Sequence, residues 1–170
     1  MSDDDIHVTL FADDSRIEAL ASYTDRLDEL AAVFADASVG DGELLDRRPA
    51  EDAWSVAEVM HHLADAELHQ SIRLRSMLTD DTPVWQGWDG VAYARTLGYD
   101  SRPAADALTL VLAIRNVNIR LLASMPVDQW RRTAIHPTAG ELDVAGWVGV
   151  ANDHLAEHVL QARRAVIGMT

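Results

Sequence analysis

Two histidines in the last part of the chain have the spacing of a metal-binding pair. His154 and His158 are four residues apart, so on a helix both side chains project from one face, with Cβ atoms roughly 5–6 Å apart. Two imidazoles at this separation can bind a single metal ion. Catalytic zinc usually takes three protein ligands and a water molecule, so this chemistry requires a third ligand from another part of the chain.

A histidine-rich segment far upstream offers candidates for the third ligand. His62, Asp65 and His69 stand at positions i, i+3 and i+7, which places them on one side of a helix. The adjacent His61 points about 100° away from His62 by helical geometry. Because apolar residues share the side of His62, we expect His62 to face the interior and His61 to face outward.

Together, His62, His154 and His158 would form a mononuclear three-histidine site. Neutral imidazoles suit borderline divalent ions, so zinc or nickel is the expected occupant. Such a site keeps a position open for a water molecule, whose pKa zinc lowers to about 7, or for a thiol bound as thiolate. The pattern therefore predicts metal-assisted hydrolysis or thiol transfer on a small-molecule substrate.

Other polar residues near these histidines have two interpretations each. Asp65 either orients a ligand or the metal-bound water, or is a polar residue near the helix surface. His69, His136, Asn116 and Arg120 could line a pocket beside the metal, but ordinary hydrogen bonding, a local turn or solvent exposure explains them more simply. We therefore give only Asp65 a role, next to the ligands rather than among them.

Composition excludes several other chemistries. The chain has no Cys, so thiolate zinc sites, thiol nucleophiles and disulfides cannot form. All 14 basic residues are Arg, which excludes Schiff-base lysines and the phosphate-binding loop that ends in Lys-Ser/Thr. A carboxylate-bridged di-iron site would need Glu-x-x-His on two helices, and the positions three residues before His154 and His158 are Ala151 and Leu155.

The charge balance predicts where the protein acts. The chain carries 28 acidic and 14 basic residues, a formal net charge of −14, which disfavours nucleic acid and anionic membrane surfaces as partners. It begins with an acidic segment rather than a basic signal peptide. No apolar run reaches the roughly 18 residues of a membrane span. We therefore expect a cytoplasmic protein without membrane partners.

Four amphipathic segments must position the candidate ligands. Apolar residues recur at helical spacing, which predicts an all-α four-helix bundle with helices over about 13–36, 55–78, 103–125 and 144–167. A long aromatic-rich connection, 84–101, separates the second and third helices. A small β-hairpin with its turn at Pro137–Gly140 is expected before the fourth. Residues 1–12 form an acidic N-terminal arm, and 13–170 form a single domain.

These segments also carry a family pattern. Residues 54–67 read WSVAEVMHHLADAE and are followed far downstream by the His154–His158 pair. This arrangement resembles the DinB-like superfamily. Arg47–Pro49 before the tryptophan and Ile135–Pro137 before the last helix are also similar to the family, and the likeness runs from about residue 13 to the C-terminus.

The resemblance implies a four-helix metal-binding protein whose ligands are His62, His154 and His158, the residues that match the family's three ligand positions. The family includes proteins regarded as metal-dependent hydrolases and bacterial low-molecular-weight thiol S-transferases. It therefore implies one of these two activities, a low-molecular-weight thiol as one candidate substrate, and a homodimer. The alternative is a non-catalytic helical module, stress-related or devoted to interaction, with a structural metal or none.

Overall fold

The structure, a computed structural model, describes residues 16–24 and 26–169, most of which are helical. The α-helices of this part, α1 to α7, are 16–24, Leu27–Ala37, Glu43–Asp46, Val56–Thr79, Gly90–Leu97, Ala104–Ser124 and Val144–Ile167. Two 3-10 turns and two strands complete it: Tyr99–Ser101, Val127–Arg131, β1 (Thr133–His136) and β2 (Gly140–Asp143). The acidic arm and the expected helix start at 13–15 lie outside the described residues.

The α1–α2 pair, α4, α6 and α7 form the four-helix bundle that the sequence predicts. α4 packs against both α6 and α7, and α2 packs against α7. The expected apolar stripe of α4 is buried throughout and consists of Val59, Leu63, Ala66 and Leu74. The first predicted helix differs from expectation, since it consists of two helical segments with Arg26 in a turn that caps α2.

α4 begins at a reciprocal capping arrangement. The Ser55 hydroxyl accepts a hydrogen bond from the Glu58 amide at 3.2 Å, and the Glu58 carboxylate accepts one from the Ser55 amide at 2.9 Å. Arg48 Nε also donates to Glu58, at 2.9 Å. Satisfying the free amides of a first turn stabilises a helix by about 1 kcal/mol. This start sets the helical phase that carries His62 into the bundle.

α7 has the bounds that the sequence predicts, near Val144 and Ile167. The Asp143 carboxylate accepts a hydrogen bond from the Gly146 amide at 2.8 Å and caps the N-terminus. Gly168, with φ +74°, closes the C-terminus in the left-handed conformation. The predicted hairpin leads directly into this cap, because Asp143 is both the last residue of β2 and the partner of Thr133.

The long connection between α4 and α6 is packed against the body. Its start runs beside β1, where the Trp85 amide donates to the Ile135 carbonyl and the Ile135 amide donates to the Pro83 carbonyl, both at 2.9 Å. α5 then forms behind Asp89, whose carboxylate accepts hydrogen bonds from two amides of its first turn at 3.0 Å. The connection is therefore an ordered cover over the middle of α4.

A buried ion pair links the helices of the bundle. Arg115 of α6 has no exposed surface, and its guanidinium lies 2.7 Å from a carboxylate oxygen of Glu67 on α4. It also donates to the Tyr23 carbonyl of α1 at 3.2 Å, and to Asn152 and the Ala151 carbonyl of α7 at 3.0 and 2.9 Å. One side chain thus ties four helices together.

α6 is also long and apolar enough to cross a membrane, judged by length and composition, with a mean hydropathy of 1.4 over an 18-residue window. Asp106, Arg115 and Arg120 interrupt its sequence, so α6 meets this criterion without an uninterrupted apolar run of about 18 residues. In the structure α6 packs on α4 and buries Arg115 and Asn118 completely. The absence of a membrane partner stays a prediction.

Candidate metal centre

His62 of α4 meets His154 and His158 of α7. One candidate ligand atom from each ring lies within 4.8 Å of the other two, and the Nε2 atoms of His62 and His154 are 3.3 Å apart. His62 is buried, while His154 and His158 are half-buried. The helical phases of α4 and α7 therefore bring together the three imidazoles that the sequence singles out, in a group that could hold a metal ion.

Aromatic rings enclose this histidine cluster. Trp54 lies with its ring centroid 4.9 Å from that of His62 and stacks on His158 at 6.4 Å. Trp88, from the long connection, stacks on His62 at 5.1 Å and on His69 at 4.8 Å. The indoles restrict the orientation of the imidazoles and shield them from water.

α5 approaches the His62 ring so closely that its first residue must lack a side chain. A Cβ atom on Gly90 would lie 2.8 Å from Cε1 and 3.0 Å from Nδ1 of His62. In the part of the chain that the structure describes, this Nδ1 is buried without a hydrogen-bond partner. The other ring nitrogen, Nε2, lies 3.3 Å from Nε2 of His154. Neither nitrogen of His62 is thus committed to a hydrogen bond that holds the fold.

His158 has a partner that fixes its proton. Its Nδ1 lies 2.7 Å from the side-chain oxygen of Gln161, one turn further along α7. An amide oxygen only accepts hydrogen bonds, so Nδ1 carries the proton of the neutral ring and Nε2 keeps its lone pair for a ligand bond. Sequence reasoning missed Gln161, although its i+3 spacing from His158 was a usable signal.

The cluster keeps its histidines neutral. Burial lowers the pKa of His62 to about 3, and the neighbouring His158 and His154 add to the effect. Burial also lowers the pKa of His154 to about 4, and the charges of His158 and Arg115 lower it further. Burial lowers the pKa of His158 as well, against the opposing hydrogen bond to Gln161. At neutral pH all three rings therefore offer lone pairs, the form that binds metals.

Comparison with known proteins identifies the family to which this sequence belongs. The profile described as DinB superfamily matches residues 16–162. The chain belongs to the DinB superfamily. This confirms the family inferred from the motifs around His62 and the His154–His158 pair.

Relatives in this superfamily carry names that mention metal. A protein of Oceanobacillus iheyensis named "Putative metal-dependent hydrolase" is 29% identical over 117 residues, which is 69% of this chain and 67% of the relative. YfiT of Bacillus subtilis, with the same functional name, is 26% identical over 129 residues, 76% of this chain and 69% of YfiT. A second Oceanobacillus iheyensis relative of that name is 25% identical over 151 residues, 88% of this chain and 83% of the relative.

The solved structure of YfiT shares the fold. It superposes with a TM-score of 0.77 over 91% of this chain and 89% of YfiT, at 21% identity. YfiT is described there as "a probable metal-dependent hydrolase with an unusual four-helix bundle topology". The likeness confirms the predicted all-α, four-helix-bundle class.

Asp65 and His61 of the DinB bundle are not members of the ligand cluster. The Asp65 carboxylate accepts a hydrogen bond from the Tyr99 hydroxyl. His61 is only 2% exposed, so the expectation that it faces outward is wrong. Its ring stacks on Tyr99 at 5.6 Å, and its Nε2 lies 3.1 Å from the Arg102 carbonyl. The helical rotation does turn His61 away from His62, as expected. The ring is nevertheless buried, because the long connection between α4 and α6 covers that side of α4.

Of the other polar residues considered as pocket-lining, only some lie next to the ligand cluster. Asn116 and Arg120 are exposed and line none of the pockets next to the ligands. The buried polar residues of α6 are instead Arg115 and Asn118, which share its inner face. His136 does line a pocket that reaches the cluster.

Two pockets reach the ligand cluster of this DinB protein at different histidines. A cavity of about 580 Å³ includes His158 and Gln161 in its walls, with Trp54, Val91 and Met169. A second cavity of about 300 Å³ includes His154, along with Gln70, Arg73, Trp88 and His136. Both are large enough for a small organic molecule, so ligands can approach the cluster by two routes.

Proposed function

We propose that this protein is a metal-dependent hydrolase that binds one divalent ion, zinc or nickel, through His62, His154 and His158. The observation that carries the proposal is the cluster itself, in which three neutral imidazoles place ligand atoms within 4.8 Å of one another. The 3.3 Å separation of the His62 and His154 Nε2 atoms supports it, because two nitrogens that each lie about 2.1 Å from a tetrahedral zinc ion are separated by about this distance. The names of the relatives support hydrolysis.

The residues around the cluster fit a catalytic ion better than a structural one. Structural zinc is normally closed by four protein ligands, whereas the described group contains three histidines and no further Cys, Asp or Glu. A divalent ion held there would supply Lewis acidity to an oxygen or sulfur atom of the reactants. Gln161 orients His158, and Trp54 and Trp88 exclude bulk water.

For Asp65 we propose a positioning role. Its carboxylate holds the Tyr99 hydroxyl, and Tyr99 packs on His61, the residue next to His62. Loss of this contact would loosen the segment that covers α4 rather than remove a ligand. Asp65→Asn should therefore preserve metal stoichiometry and weaken catalysis only modestly.

Thiol S-transfer is the second candidate, and the two pockets favour it. A transferase must bring a thiol and an electrophile to one centre, and each pocket reaches a different ligand, His158 in one and His154 in the other. A low-molecular-weight thiol is the proposed first substrate. Turnover of a thiol with an electrophile, compared between metal-loaded and metal-stripped protein, separates transfer from hydrolysis.

The remaining expectations stay predictions. They are a homodimer, a cytoplasmic location, the absence of nucleic-acid partners, and a single domain over residues 13–170. The net charge of −14 supports the exclusion of nucleic acid, because it repels phosphate backbones.

Metal analysis of untagged protein tests the proposal. We expect about one divalent ion per chain after loading with zinc or nickel, since the ligand group is mononuclear. His154→Ala should lose this ion, because two imidazoles hold it much more weakly than three. Asp153→Ala, at an exposed neighbouring position, is the matched control and should retain it. Wild-type protein that takes up neither ion would contradict the proposal.

A further inference from the structure

Arg73 places a buried cation in the wall of the 300 Å³ pocket beside His154. Arg73 of α4 is 8% exposed, donates to the Gln86 carbonyl at 2.7 Å, and lies 5.6 Å from the centroid of the Trp85 ring. Among the residues the structure describes, no carboxylate forms a salt bridge with it. A buried guanidinium without a counter-charge is unfavourable unless a ligand supplies one.

The composition of this pocket is unusual for such an acidic chain. The protein has 28 acidic residues, yet none is among the described residues that line the pocket. The potential inside is therefore set by Arg73, against the negative field of the rest of the surface. Burial is the main cause of the lowered pKa values of His136 and His154, and the charge of Arg73 adds to both. The pocket favours an anion.

Two further side chains present hydrogen-bond donors to the pocket. Nδ1 of His136 accepts hydrogen bonds from the Thr138 and Ala139 amides at 3.3 and 3.1 Å, so the proton of the neutral ring is on Nε2. The side-chain oxygen of Gln70 accepts a hydrogen bond from Trp147 Nε1 at 2.9 Å. Because the oxygen is used in this way, the NH₂ group of Gln70 is the part of the amide that can donate to a ligand. Both residues line the pocket.

We propose that this pocket binds the carboxylate of a small-molecule substrate, with Arg73 as its counter-charge and Gln70 and His136 as additional donors. The inference rests on the proposed function, because His154 forms part of the same wall and would place the reacting bond next to the metal ligands. Arginine matches the planar carboxylate and its single negative charge. A phosphate dianion would leave one charge uncompensated. The substrate class is therefore a small carboxylic acid.

Benzoate and benzamide are a matched pair of probes for this site, since they differ in charge and little in shape. Calorimetric titration of chelator-treated, metal-free protein measures the carboxylate site without direct metal coordination. We expect benzoate to bind at least about tenfold more tightly than benzamide, the range of one charge-assisted hydrogen bond. Equal affinities, or no binding of either probe, would overturn the inference without bearing on metal binding.

Variants assign the preference to Arg73. Arg73→Gln should remove the preference for benzoate, and Arg73→Lys should retain part of it, because lysine keeps the charge and loses the planar fork. Arg120→Gln makes the same charge change at an exposed position of α6 and should leave benzoate affinity unchanged. An unchanged preference in Arg73→Gln would contradict the assignment. If the glutamine variant does not fold, the benzoate and benzamide comparison on wild-type protein still decides the inference.

Two further arms identify the anion and separate this inference from the proposed function. Phenyl phosphate should bind more weakly than benzoate, and tighter binding would overturn the choice of a carboxylate. Metal analysis of the same samples is independent. If the protein binds metal but shows no preference for benzoate, the proposed function stands and the carboxylate site is rejected. If it prefers benzoate but takes up no metal, the carboxylate site stands and the proposed function is rejected.

Discussion

At the scale of single residues, the surroundings of His62 distinguish this site from a chance group of histidines. The ring is enclosed by two indoles and by the backbone of Gly90, and its Nδ1 has no hydrogen-bond partner in the described part of the protein. Such a ring has little freedom to move, so small changes beside it should act on metal affinity rather than on the fold.

Gly90→Ala tests this restriction. The new methyl group would lie 2.8 Å from Cε1 of His62. Because Trp54 and Trp88 pack against the same ring, we expect the imidazole to shift relative to His154. We expect zinc affinity to fall on the order of 10- to 100-fold, as for other changes next to metal ligands. Competition with a chromophoric chelator measures it.

Gly149→Ala is the control for that variant. Gly149 lies in α7, and its added Cβ would have no atom within 4 Å. We expect unchanged zinc affinity and a gain of about 0.5–1 kcal/mol in unfolding free energy, because alanine favours the helix. Equal losses of affinity in the two variants would contradict the role assigned to the contact with His62.

The lowered pKa values predict acid sensitivity of the metal-free protein. Burial holds the pKa of His62 near 3 and that of His154 near 4, while both titrate near 6.5 in the unfolded chain. Below pH 6.5 the unfolded state therefore binds more protons, and stability falls as pH decreases towards the folded-state pKa values. Above pH 6.5 both states are neutral and these groups add no pH dependence.

Urea unfolding of metal-free protein between pH 7.5 and 5 measures this effect, in a range where most carboxyl groups do not titrate. His62→Gln removes one of the groups that gain a proton on unfolding, so its stability should fall less steeply between pH 6.5 and 5. The same slope in wild type and variant would show that His62 is not held neutral.

At the scale of elements, Arg115 is the side chain that joins α1, α4, α6 and α7. Its ion pair with Glu67 is almost completely buried. Burial raises the pKa of Glu67, and the guanidinium opposes that rise. Because the pair also holds the α7 backbone one turn before His154, it positions the helix that carries two of the three candidate ligands.

Glu67→Gln should be strongly destabilising. It leaves the Arg115 guanidinium buried without a counter-charge, which typically costs about 3–5 kcal/mol. Glu29→Gln is the matched control, since Glu29 lies 3.4 and 3.6 Å from Arg26 and Arg163 at the surface and should change stability by less than about 1 kcal/mol. Chemical denaturation measures both. Similar values for the two variants would contradict the role of the buried pair.

The long helices and the candidate ligands could be predicted because their signals are local in the sequence. The bounds of α7 follow from its Asp143 cap and Gly168, and the histidine cluster follows from the helical phases of α4 and α7. Arg115 left a weaker signal, a charge on the same helical stripe as Val111 and Leu122 of α6.

Contacts between distant parts of the chain left no local signal. The fit of Gly90 against His62 depends on where the long connection docks, and the burial of His61 depends on the same segment. Arg73 and His136 are far apart in sequence and share a pocket only because the segment that starts at Pro83 runs beside β1. Positions of this kind become visible only in three dimensions.

At the scale of the whole molecule, a bound ion would act as a cross-link between α4 and α7. These helices meet at the ligand cluster, and the chain has no disulfide that could serve this purpose, since it lacks cysteine. His154 and His158 lie 92 and 96 positions after His62 in the sequence, so the unfolded chain does not hold the three ligands close together. Metal should therefore bind the folded state far more tightly than the unfolded state and stabilise the entire bundle.

Thermal unfolding with and without metal tests this coupling. At free zinc about 100-fold above its Kd, binding adds about 2.7 kcal/mol of stability, which raises Tm by about 5–11 °C for a domain of this size. A chelator should reverse the shift. His154→Ala should show the same Tm with and without zinc, because its ligand set is incomplete. If zinc raised the Tm of wild type and variant equally, the ion would be bound elsewhere, and the assignment of the three histidines would be wrong.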